Sequence, residues 1–463
     1  MRTFHHADND SPPAPPRHRL TPPPHRRLGP ATAHLTITGV DDQAREVAPG
    51  SATRRVLTGA GAVTAGSMLA NIAAYLLHLP ASRWLGPEGY GAFAALLSAQ
   101  LLVAVPSLAL QAVVARELVR GVAPETLRSL GRRVALLVAL VAALAVVPVS
   151  LLLDTSVAAT AAALAPGPVL CLLATEQGLL QGSERFRALG AVLACAGAGK
   201  VIPAVAVLAA GGGVGTALAA GAIGVAAAWL VAARIVAGRG VVGRGGVGRC
   251  GVGGHSVEGH DTSARGVGPA SPGVTAVLAA GQVQLVMMAL TSVDLLLARA
   301  LLSPEDAGRY ALGAVAAKAA FWLPQAVGTV LYPRMADPAG HRGAVRSAVG
   351  VLLGIGTVVV IGAAVAAPLV PVIVGPDYQP VAGLLWAFAA LGVTLSVLQA
   401  FLLATIATDR TVEAGIAWCG LVLTAVAVWL APREVAGVLG AVLGVVVVTT
   451  LVAGWRALRT RPA

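Results

Sequence analysis

Between positions 56 and 455 the chain runs apolar again and again. Each run is about 20 residues long, enough for an α-helix to cross roughly 30 Å of hydrocarbon. Twelve spans are read, at 56–79, 92–114, 134–153, 157–180, 190–210, 214–237, 274–302, 309–332, 347–374, 383–404, 412–431 and 435–455. Only 12% of the residues are charged, against about 25% in soluble domains. The chain therefore cannot be mainly soluble. The expected fold class is an all-α membrane protein with about 12 transmembrane helices in two six-helix bundles.

Between the sixth and seventh spans lies a stretch that could not be a seventh helix. Residues 238–273 are a Gly/Arg/Val low-complexity segment, the composition of a flexible connector. It carries no interleaved aromatics, so RNA binding is not expected of it. Residues 1–52 are rich in Pro, His and Arg and poor in large apolar side chains, which predicts a disordered tail. Their histidines are irregularly spaced, and no metal site is expected. No cleavable signal peptide is expected either, since the first long apolar segment begins only near Val56. The division read is 1–52 tail, 53–237 first bundle, 238–273 linker, 274–456 second bundle and 457–463 tail. The four cysteines have no metal-ligand spacing and read as small apolar fillers.

One hairpin occurs twice, near half a chain length apart. The first copy contains Arg83-Trp-Leu-Gly-Pro-Glu-Gly-Tyr-Gly-Ala-Phe93. The second contains Arg299-Ala-Leu-Leu-Ser-Pro-Glu-Asp-Ala-Gly-Arg-Tyr310. Pro87-Glu88 matches Pro304-Glu305, Gly91 matches Gly308, and Phe93 matches Tyr310. Upstream, His78 stands to Arg83 as Asp294 stands to Arg299. A loose repeat on membrane-length helices marks a transporter made of two related halves.

The basic residues predict the orientation. Of 33 Lys and Arg, 27 fall in the tails, in alternate loops on one side or, for Arg234, at the span end on that side; three fall on the hairpin side (Arg83, Arg309, Arg433) and three deeper inside spans. That asymmetry puts both termini in the cytoplasm and the hairpins outside. With six spans per half, the halves enter the membrane in the same direction, a parallel repeat. Gly350 with Gly354, and Gly440 with Gly444, are small-xxx-small pairs expected to bring helices close.

An ionised group at membrane depth costs several kcal/mol unless paired or hydrated. The candidates for a substrate or ion-coupling site are therefore Asp294, Lys318, Lys200, Arg299 and Glu176, with Asn71 and His78 as polar counterparts in the first half. Asp294 and Lys318 sit at similar depth on adjacent spans. They read equally as a cavity pair or as a fixed salt bridge holding two helices. Lys200 has no acidic partner in its own span and must face water, a carboxylate or an anionic ligand. Arg299 and Glu176 lie close enough to the span ends to reach the interface instead. Pro106 and Pro324 interrupt their spans and are candidate hinges. No catalytic motif, metal cluster or nucleotide-binding loop is present in the sequence, so no enzyme activity and no cofactor are expected.

The two hairpins, with Pro324 to Tyr332-Pro-Arg334, resemble those of polysaccharide-biosynthesis membrane proteins. These are the oligosaccharide flippases of the multidrug/oligosaccharidyl-lipid/polysaccharide exporter superfamily. The resemblance implies two six-helix bundles around a central cavity, worked by alternating access. It implies an inner-membrane flippase moving a lipid-linked oligosaccharide or related polysaccharide precursor from the cytoplasmic to the outer leaflet. The implied partners are that lipid-linked saccharide, membrane lipids, a coupling H+ or Na+, and polysaccharide-assembly proteins. Nucleic acid is not among them. Three other readings stay open: an ion-coupled drug or metabolite antiporter, a lipid-linked peptidoglycan precursor flippase, and a membrane glycosyltransferase or polymerase. The short outer loops speak against the last.

Overall fold

The computed structural model describes residues 66–238, 273–322, 341–406 and 414–459. Pro324, the 1–52 tail and nearly all of the 238–273 linker lie outside the described residues.

The first half begins with α1 (66–76) and α2 (His78–Val119). These form one helical run from Gly66 to Val119, too long to cross a bilayer once. Gly86 breaks it, at φ 66° and ψ 177°, a conformation essentially confined to glycine. Pro87 then starts the descending arm, where a missing N–H costs nothing. There follow α3 (Pro124–Leu152), α4 (Val157–Leu164), α5 (Pro166–Gly182), α6 (Phe186–Ala209) and α7 (Val214–Ala237). Ser156 caps α4, its Oγ accepting from the Ala159 N–H at 3.1 Å.

The second half opens on α8 (Val274–Leu290) and α9 (Val293–Leu301), two pieces separated at Thr291–Ser292. Then come α10 (Pro304–Trp322), α11 (His341–Ala366), α12 (Leu385–Ile406), α13 (Ala414–Leu430) and α14 (Val435–Arg459). Nine helices among the described residues are long and apolar enough to cross a membrane. This is a multi-pass membrane protein. Counting the two arms around Gly86 separately, and adding α10 and α13, the described helices overlap the positions read as spans. The predicted first span starts ten residues before the first described residue.

Close approaches between helices occur at small residues, as expected in lipid. Their positions differ from the expectation. A Cβ added at Gly350, Gly354, Gly440 or Gly444 would meet nothing within 4 Å. Tight contacts occur instead at other glycines, among them Gly199 against Gly224 and Gly91 against Gly308. The sequence spacing was right for a helix face but could not say which face meets a neighbour and which meets lipid.

The last of these contacts organises the molecule. Gly91 and Gly308 are matching positions of the repeat, and they touch each other. A Cβ on Gly91 would come 2.9 Å from the Gly308 nitrogen, and one on Gly308 would strike the Pro87 carbonyl. The hairpins therefore meet glycine to glycine, α2 crossing α10. Around that crossing one apolar cluster spans both halves, with Tyr90, Phe93, Leu295, Tyr310 and Phe388 fully buried.

Candidate functional site

Below the glycine crossing lies a cavity of about 260 Å³. The first half supplies Asn71, Tyr75 and His78 from the α1–α2 run, Ser98 and Gln100 from α2, and Lys200 from α6. The second half supplies Leu295 from α9 and Lys318 and Trp322 from α10. Four of the seven candidate polar residues, Asn71, His78, Lys200 and Lys318, thus meet at one cavity. Its lining among the described residues holds two lysines and no carboxylate.

Local pattern explains this convergence. On α2 the lining residues Ala94, Leu97, Ser98, Leu101 and Ala104 recur at the three- and four-residue spacing of one helix face. Lys200 lies three residues before Pro203 on α6. Lys318 reaches across the halves, its Nζ donating to Ser98 Oγ at 2.8 Å.

Asp294 lies beside the cavity but is not in its lining. Tyr310 OH donates to its Oδ2 at 3.0 Å, while Oδ1 is buried with no hydrogen-bond partner. Among the described residues the ion pairs do not include Asp294 with Lys318. The fixed salt bridge weighed from the sequence is therefore not what joins these helices: the aspartate is held by a tyrosine and the lysine by a serine. The first half contains a counterpart, His78 Nδ1 to Tyr90 OH at 3.1 Å. In both halves a polar residue on the ascending arm bonds a buried tyrosine on the descending arm.

Two candidates belong elsewhere. Glu176 is held by Arg128 through two hydrogen bonds, at 3.0 and 3.2 Å, at the far end of α5 from the hairpins. This two-point contact of guanidinium and carboxylate ties α5 to α3. Arg299 turns away from the cavity and donates to the backbone carbonyls of Leu153 at 3.0 Å and Asp154 at 3.3 Å. Pro106 lies within α2 and borders a separate apolar pocket of about 370 Å³ between α2, α3 and α8.

Sequence reasoning missed Ser98, Gln100, Tyr75 and Trp322. Ser98 and Gln100 were visible as polar interruptions of an apolar run. The two aromatics carried no signal, because tyrosine and tryptophan serve equally as core or interfacial residues.

No protein-family model and no curated protein matches this sequence. Solved structures do match in fold. A structure described as the lipid II flippase MurJ in an inward closed conformation aligns with a TM-score of 0.62 at 10% identity, over 86% of this chain and 87% of that one. An inward-facing multidrug resistance MATE family transporter of the MOP superfamily aligns with a TM-score of 0.61 at 15% identity, over 84% and 93%. A point mutant of the Vibrio cholerae MATE transporter VcmN aligns at 0.52 and 16% identity, over 89% and 97%. The chain has the fold that these transporters and flippases share.

Proposed function

We propose that this protein is an alternating-access flippase moving a lipid-linked oligosaccharide or related polysaccharide precursor across the plasma membrane, from the cytoplasmic to the outer leaflet. The observation that carries this reading is the cavity itself. It takes Lys200 from one half and Lys318 from the other, with no carboxylate in its lining. Two ammonium groups at membrane depth that form no ion pair among the described residues suit an anionic ligand such as a phosphate-linked saccharide. A protein of the same fold, MurJ, is described as a lipid II flippase. The arginine asymmetry supports cytoplasmic termini and hairpins on the outer side.

The MATE structures favour a second reading, an ion-coupled exporter of drugs or metabolites. Asp294, with one oxygen unpartnered, is the group that would take up a coupling H+ or Na+ there or in a coupled flippase. A lipid-linked peptidoglycan precursor is the third candidate substrate.

The readings part in proteoliposomes. A fluorescent polyprenyl-diphosphate saccharide should be flipped by the wild type and not by the Lys200→Ala, Lys318→Ala double variant. A cationic dye should not be moved. Dye transport that survives loss of both lysines would select the exporter instead.

A further inference from the structure

We infer that Arg299 is the catch that holds the two halves together on the hairpin side, and that its release is a step of the transport cycle. The inference rests on the alternating-access reading above. Its evidence is separate from the cavity.

Arg299 stands in the last turn of α9, in the second half, and is only 7% exposed. Its side chain spends two of its three nitrogens on the first half. Nε donates to the Leu153 carbonyl and Nη2 to the Asp154 carbonyl. Leu153 is the C-cap of α3, and α3 has no basic residue in its own last turn. The carbonyls at a helix C-terminus are unsatisfied and carry partial negative charge. The cation that α3 lacks is thus supplied from the opposite half.

The contact is strong but incomplete. Nη1 is buried with no hydrogen-bond partner. A guanidinium satisfied at every nitrogen would be a permanent rivet. One with an orphaned donor is less costly to withdraw, because water or headgroup oxygens can satisfy all of it once it leaves. The repeat sharpens the point. Arg83, the matching arginine of the first hairpin, is exposed. The catch is therefore one-sided, a feature that two-fold packing alone would not produce. Nearby, Tyr378 OH donates to the Ser82 carbonyl at 3.2 Å, a second tie between the halves at the same end.

The test uses the full chain with Cys171, Cys195, Cys250 and Cys419 changed to serine, and an Ala74→Cys reporter on the cavity wall. Oriented vesicles are treated with a membrane-impermeant maleimide from each face. Arg299→Gln should raise labelling from the hairpin face by at least about tenfold, the shift expected when two charge-assisted hydrogen bonds are replaced by at most one neutral one. Labelling from the opposite face should fall in the same vesicles. Arg299→Lys, which keeps the charge without the fork, should lie between. A merely structural arginine would, on removal, increase labelling from both faces or from neither, and either outcome overturns the proposal. Should Arg299→Gln not insert, Arg299→Lys gives the same two-sided readout. If the reciprocal shift is seen while no substrate is moved in proteoliposomes, the transport reading falls and the catch stands.

Discussion

In the first hairpin the residue before the proline is Gly86, at φ 66°. In the second it is Ser303, whose Oγ accepts from the Asp306 N–H at 3.2 Å and donates to the Asp306 carboxylate at 3.0 Å. The same turn into a descending helix is made once by backbone freedom and once by a side-chain cap. Further along, the copies converge again, and Gly91 meets Gly308 in direct contact. The repeat preserves what the helix crossing needs and lets the turn chemistry drift. The polar positions diverge as well. His78 with Tyr90 faces Asp294 with Tyr310, and exposed Arg83 faces buried Arg299. The two halves share the crossing and differ at these polar positions.

The hairpins are most sensitive to substitution at the crossing. Gly308→Val would drive a side chain into the Pro87 carbonyl, with no flexible neighbour to yield. The expected loss is about 3 kcal/mol, read as thermal unfolding of the purified protein. Gly86→Ala is the control for space. A Cβ there meets nothing within 4 Å, so the only cost is the backbone conformation, about 2 kcal/mol. If Gly86→Ala proved as damaging as Gly308→Val, the crossing would not be the tighter constraint. Ser303→Ala should be mildest, about 1 kcal/mol for one lost cap. A glycine placed at 303 should recover part of that, since glycine is an acceptable cap.

The span layout was legible because membrane length leaves few alternatives to a helix. The hairpin repeat was legible because glycine and proline mark positions where the backbone has no substitute. Four cavity residues could be found by asking which polar groups have no business in hydrocarbon. The same question flagged Glu176 and Arg299, which bond away from that cavity. Each is a buried charge whose partner comes from elsewhere in the fold: Arg128 for Glu176, the end of α3 for Arg299. One sequence gives the depth of a charge and leaves its direction open. Asp294 and Lys318 show the same gap, since equal depth suggested a pair and the structure gives each a different partner.

The central claim is that the halves share one anion site, with a lysine from each. The most direct measurement is the affinity of the purified protein for a polyprenyl-diphosphate saccharide across a two-residue cycle. Lys200→Gln and Lys318→Gln should each weaken binding about tenfold, and the double variant about a hundredfold, as expected for two independent charge-assisted contacts. Full affinity in a folded double variant would contradict the account.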